Sequence, residues 1–149
     1  MVRSMKGKHP DYFEAILQLR DVSPEIIDFV DADLLRTGLI ITKKVELKNG
    51  FDFYCSDNEQ TRALGKKLQE KYGGDYKVTA TLHCRKDNKE LYRVTVLFRE
   101  AHFRKNDNVE YQGEIYVIKI MIKDIFLQHQ KTGKKIHVKF KDMDQIKKI

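Results

Sequence analysis

The chain has 149 residues, 41% hydrophobic and 34% charged, with a formal net charge of +7 and a pI near 9.3. That suits one domain or two very small ones, with a real core and a heavily solvated surface. No apolar run approaches the about eighteen residues of a membrane span, and the basic start Met1-Val2-Arg3-Ser4-Met5-Lys6 lacks the apolar stretch of a secretory signal.

Residues 1–10 read as a flexible lead closed by Pro10. Alternation from Asp11 to Arg20 predicts a half-buried strand, with Phe13, Ala15, Leu17 and Leu19 sharing one face. Ser23-Pro24-Glu25 is a helix start: a capping serine, a proline pre-set for the first turn and an acid at the positive end of the dipole. Ile26, Val30 and Leu34 mark its buried side, leaving Asp28, Asp31 and Asp33 toward solvent, and Gly38 ends it. A second strand over residues 41–47 enters an Asn49-Gly50 turn, the preferred pair for a type I′ hairpin. Phe51, Phe53 and Cys55 continue on the return strand.

Ser56 and Glu59 form a Ser-x-x-Glu capping box. The helix behind it buries Leu64, Leu68 and Tyr72, with Thr61 and Gly65 alongside, and stops at Gly73-Gly74. Two further strands follow, joined by the turn Lys86-Asp87-Asn88-Lys89. The first six elements have the βαββαβ order of a ferredoxin-like layer. The expected fold of residues 11–100 is therefore α+β, a ferredoxin-like βαββαβ(β) antiparallel sheet with both helices on one face. After a polar stretch at 103–108, short segments at 109–111, 114–122, 125–128 and 135–140 predict a small SH3-like β-barrel over residues 103–149.

Cys55 and Cys84 lie in phase with the apolar positions of their strands, which predicts buried free thiols in a reducing compartment. A CxxC pair is absent, so these residues cannot build a zinc ribbon. His9, His83, His102, His129 and His137 do not fall at metal-binding spacing with carboxylates, although His129 and His137 flank one hairpin. Neither a nucleophile elbow nor a phosphate-cradling glycine loop is present, and no catalytic constellation emerges. No cofactor, metal or small-molecule substrate is expected.

Charge is uneven. Residues 101–149 hold eleven Lys and Arg against six Asp and Glu, so most of the net charge lies in the last third. Such a field suits a polyanion, above all RNA. Three basic surfaces are candidates. Arg62, Lys66, Lys67 and Lys71 lie along the second helix. Lys77, Arg85 and Arg93 stand with Thr79, Thr81, His83, Thr95 and Arg99 on the sheet face away from the helices, where small hydroxyls between cations suit phosphate and 2′-OH contacts. Lys131, Lys134 and Lys135 crown a glycine-bent loop. For each the bland alternative is a solvated charged surface, or a charge that blocks edge pairing. The strand aromatics sit mostly in the apolar phase, which argues against base stacking. The acidic residues Glu25, Asp28, Asp31 and Asp33 of the first helix offer a docking face for a basic protein instead.

His9-Pro10-Asp11-Tyr12-Phe13-Glu14-Ala15-Ile16-Leu17-Gln18-Leu19-Arg20 resembles a segment just after the zinc region in archaeal members of the Nmd-three (nonsense-mediated-decay-three) family. The stretch from Leu47 to Tyr54, then Arg62-Ala63-Leu64-Gly65 and Tyr72-Gly73-Gly74, is similar to that family's central signature, and Tyr92-Arg93-Val94-Thr95-Val96-Leu97 continues in register. Gly113-x-x-Tyr116-Val117 and Lys131-Thr132-Gly133-Lys134 are similar to its translation-factor-five-A-like part. The family's eukaryotic members are export adaptors of the large ribosomal subunit. The resemblance implies a non-catalytic, cytoplasmic factor binding large-subunit rRNA and ribosomal proteins in ribosome biogenesis or translation. The family's CxxC zinc modules have no counterpart in these residues, which leaves room for a zinc-bearing partner. A protein-interaction adaptor using the acidic first helix is the alternative.

Overall fold

Which strand takes the middle of the sheet is decided by how apolar its inner face is. The computed structural model describes residues 12–86 and 88–149, without the side chains of Cys84, Arg85, Lys86 and Lys89. The expected lead over 1–10, His9, the Cys84 thiol, the Arg85 side chain and the turn residue Asp87 lie outside the described residues. The elements run β1 (Ala15–Arg20), α1 (Pro24–Thr37), β2 (Ile41–Leu47), β3 (Gly50–Cys55), α2 (Asn58–Tyr72), β4 (Gly74–Lys86) and β5 (Lys89–Glu100). Then come β6 (Asn108–Tyr111), β7 (Glu114–Met121), β8 (Ile125–His129), β9 (Lys135–Val138), a 3-10 helix (Phe140–Gln145) and β10 (Ile146–Lys148).

The fold is α+β, and its first sheet has the order β2-β3-β1-β5-β4. Here the antiparallel expectation is corrected. β5 lies parallel beside β1, with Leu17 opposite Val96, so the sheet is mixed. The strand that follows α2 is β4, and it lies at the edge instead of beside β1. Burial follows the exchange: Val94, Val96 and Phe98 of β5 are almost fully buried, whereas Val78, Ala80 and Leu82 of β4 are exposed. The more apolar strand of the hairpin gains more by taking the central position. Ala15, Leu17 and Leu19, with Phe53 and Cys55, join Ile26 and Val30 of α1 and Leu64, Leu68 and Tyr72 of α2 in one core. Both helices therefore cover the same face.

One turn and both helix caps differ from expectation. The β2–β3 turn residues are Lys48 and Asn49, with Leu47 opposite Gly50, and neither turn residue has a positive φ. Gly50 serves a different need: a Cβ there would collide with the carbonyl oxygen of Leu19 on β1. The α2 cap is also one residue later than the Ser-x-x-Glu box. The Asp57 carboxylate accepts the N–H groups of Glu59 and Gln60 at 3.0 and 3.2 Å, while the Ser56 hydroxyl is buried without a hydrogen bond. A carboxylate at a helix N-terminus gains from the dipole as well as from the cap. At α1, Ser23 occupies the cap position, but its hydroxyl makes no cap bond; its N–H donates to Glu100.

The second sheet is antiparallel, ordered β10-β6-β7-β8-β9. β9 and β10 are its edges and do not pair, so the ladder does not close into a barrel. The chain leaves β9 into the 3-10 helix, whose Phe140 and Met143 enter a core with Phe103, Ile118, Ile125, Leu127 and Ile146. The two sheets meet at one end of the first: Ala101 N–H donates to the Gly73 carbonyl, and Arg99 holds Asp144 at 2.8 Å.

Candidate nucleic-acid interface

The α2 cations divide into two kinds. Lys67 donates to Asp33 of α1 at 3.0 Å, and Arg36 donates to the same carboxylate oxygen at 2.8 Å. Asp33 is 8% exposed, which corrects its expected solvent-facing place. The helical period explains it, because Asp33 lies seven residues after Ile26 and falls on the buried stripe. Burial pushes the Asp33 carboxyl up, but the hydrogen bonds and charges of Arg36 and Lys67 outweigh this and hold it below the usual carboxylate range. The Lys71 ammonium sits 4.4 Å from the centre of the Phe29 ring of α1. Arg62 and Lys66 are exposed and have no acidic partner among the described residues.

On the face away from the helices, cross-strand register places Lys77, Thr79 and Thr81 of β4 opposite Leu97, Thr95 and Arg93 of β5. A bulge between Leu82 and Cys84 then takes His83 out of that alternation. Arg20 on this face is paired to Asp52 at 2.7 Å, and Arg99 to Asp144. Lys77 is exposed and, like Arg93, has no carboxylate partner among the described residues.

The start of β1 adds a cluster that alternation does not reveal. The chain bends at Glu14, whose N–H donates to Cys55 and whose carbonyl accepts from Val94, both at 2.9 Å. The bend takes Phe13 out of phase with Ala15 and sets its ring edge-on to Tyr54, 4.8 Å away. Register places Tyr54 opposite Ile16, on the face away from the helices. The Arg93 guanidinium lies 3.9 Å from the Phe13 ring centre, with Nε donating to the Phe13 carbonyl at 3.3 Å. Lys43 stands 5.5 Å from the Tyr54 ring centre. Phe13, Thr42, Lys43 and Tyr54 line a hollow of about 390 Å³. A neighbouring hollow of about 290 Å³ brings Arg62 of α2 together with Arg93, His83 and Tyr92, and with the carboxylates of Glu14 and Glu90.

The family model of the NMD3 second domain matches residues 12–99. The chain belongs to the NMD3 family. That family is tied to ribosome-related function. No curated protein sequence matches the chain. The span shared with the NMD3 family takes in Arg62, Lys66, Lys77, Arg93 and the Phe13–Tyr54 cluster.

The basic loop lies beyond that span, on the β8–β9 turn. Lys131, Lys134 and Lys135 are exposed there. His129 organises the turn: its Nδ1 accepts the N–H groups of Lys131 and Thr132 at 3.1 and 3.2 Å, and its Nε2 lies 3.5 Å from Glu114. His137 faces Asp124 instead, at 3.0 Å, so each histidine has its own carboxylate. Among the described residues, no group of three or more His, Cys, Asp or Glu could hold a metal ion. Among the described residues, no helix is long and apolar enough to cross a membrane. On α1, Glu25, Asp28 and Asp31 are exposed and Asp33 is not, which leaves the acidic face smaller than expected.

Proposed function

We propose that this NMD3-family chain is a non-catalytic, cytoplasmic factor that binds rRNA and proteins of the large ribosomal subunit, in ribosome biogenesis or translation. The observation that carries this reading is the division among the cations. Lys67, Arg20 and Arg99 are neutralised within the fold, whereas Arg62, Lys66, Lys71, Lys77, Arg93, Lys131, Lys134 and Lys135 have no acidic partner among the described residues. Unpartnered cations on rigid elements bind phosphates and release counterions. Arg85 belongs to the same sheet strand and joins the proposal through its position in sequence. The alternative, an adaptor docking a basic protein on α1, loses Asp33 to the α1–α2 seam.

Sedimentation of tagged protein with ribosomal subunits at two salt concentrations tests the reading. Co-migration with free large subunits should fall steeply with salt. Lys66→Glu and Lys134→Glu should each weaken it, and each should flatten the dependence of log K on log salt by about one. Binding that ignores salt, or resists nuclease, supports the adaptor and overturns the RNA reading.

A further inference from the structure

We propose that Phe13, Tyr54, Lys43 and Arg93 form a stacking site for an unpaired nucleotide of single-stranded RNA. This deepens the RNA-binding reading and rests on it. The cluster stands on the sheet face opposite both helices, at the strand ends remote from the Arg99–Asp144 contact with the second sheet. Phe13 and Tyr54 remain half-buried there although each is a large aromatic, and the hydroxyl of Tyr54 has no hydrogen-bond partner among the described residues.

The cations set this cluster apart from ordinary sheet packing. Arg20, on the same face, is neutralised by Asp52, and Arg99 by Asp144. Lys43 and Arg93 contact aromatic rings and a backbone carbonyl and have no carboxylate partner among the described residues. The Nε bond to Phe13 and the 3.9 Å approach to its ring fix the guanidinium as a flat ledge. Bases stack on aromatic rings and on Arg guanidinium planes, and a nearby ammonium takes the phosphate. The adjoining hollow of about 390 Å³ has the size of a small-ligand pocket, and among the described residues no carboxylate lines it. RNA is favoured over a protein partner because the cluster joins flat π surfaces to unneutralised cations. A peptide groove would need a longer apolar lining.

Fluorescence anisotropy with the full chain tests the site. The probes are a labelled single-stranded RNA of about 12 nucleotides and a duplex of the same length. Tyr54→Leu and Phe13→Leu should each weaken single-strand binding by about fivefold or more, with duplex affinity and salt slope unchanged. Tyr54→Phe should bind as wild type, and ultraviolet crosslinking should join the RNA to the peptide carrying Tyr54 or Phe13. Lys43→Ala, on an exposed edge-strand position, keeps the test valid if a leucine variant fails to fold. It should weaken binding and lower the salt slope by about one. Unchanged single-strand affinity in the folded variants, with steep salt dependence intact, overturns the stacking site and leaves the RNA-binding reading standing. Failure of the wild-type chain to bind either RNA overturns both.

Discussion

Asp33→Asn combined with Lys67→Met measures whether the two helices are joined by the pair that removes Lys67 from the RNA-facing set. The Asp33 carboxylate is 8% exposed and takes hydrogen bonds from both Arg36 and Lys67, whereas Lys67 is 41% exposed. Exposed ion pairs contribute about 0.2–1 kcal/mol, and hydrogen bonds to charged groups about 1.5–3 kcal/mol. Solvent screening at Lys67 puts this pair near the boundary, so a double-mutant cycle should give a coupling of about 1 kcal/mol at pH 7. In thermal unfolding that is about 2–4 °C. The sign with pH follows from the depressed carboxyl. A carboxyl whose pKa is lower in the folded state stabilises above its unfolded pKa, near 4, and that contribution fades as pH falls through the folded value. Urea unfolding of the four proteins at pH 7, and again near pH 2, is the assay. A coupling below about 0.3 kcal/mol at pH 7, or one unchanged near pH 2, refutes the pairing argument. Lys67→Met should also leave RNA affinity within about twofold of wild type, unlike Lys66→Glu; equal losses would refute the division of the α2 cations.

Gly65→Ala should destabilise by up to about 2 kcal/mol in calorimetry, because its Cβ would lie 2.5 Å from the buried Val96 side chain and 2.8 Å from the Tyr76 ring, which outweighs a helix-propensity gain of about 1 kcal/mol; a rise in Tm would count against so close an approach of α2 to the sheet. Asp57→Ala should cost about 1 kcal/mol in denaturant while Ser56→Ala stays near neutral, and the reverse order would return the cap to Ser56. Burial pushes the Cys55 thiol up to about 11, so in a Cys84→Ser background a disulfide reagent should find no reactive thiol at pH 8 until the protein is unfolded. His129→Ala should speed amide exchange at Lys131 and Thr132, which lose the Nδ1 acceptor; unaltered exchange would show that the loop holds its shape without the ring.

Periodicity made the helices and most strands legible, because burial on one face writes its period directly into the sequence. Leu64, Leu68 and Tyr72 point inward as expected, with Thr61 and Gly65 beside them. What could not be read locally was competition between elements. Nothing within β4 or β5 alone says which of them takes the place beside β1; that depends on comparing their apolar faces against the same core. Gly50 looked like half of a turn because Asn-Gly is a strong local signal, yet its neighbour across the sheet, Leu19, is what requires a glycine. Asp33 was legible in principle. Strict helical spacing from Ile26 and Val30 reaches residue 33, although aspartate as a residue type points to solvent. Phe13 was not legible, since a one-residue bend at Glu14 reverses the face on which an aromatic appears.

Those misplacements bear on function together. Counting Lys and Arg along α2 marks four equivalent contacts, but the fold ranks them. Lys67 neutralises a buried carboxylate, whereas Arg62, Lys66 and Lys71, the last lying over Phe29, have no acidic partner among the described residues. The same ranking on the sheet sets Arg20 and Arg99 aside and leaves Lys77, Arg93 and Lys43. Arg62 and Arg93 come from different elements, yet they line one hollow beside Phe13. The basic surface therefore converges where α2 begins and β1 enters the sheet, and it converges on aromatic rings. Phosphate contacts alone would need no such rings, so the convergence favours a strand of RNA with at least one base turned toward the protein over a duplex held only by its backbone.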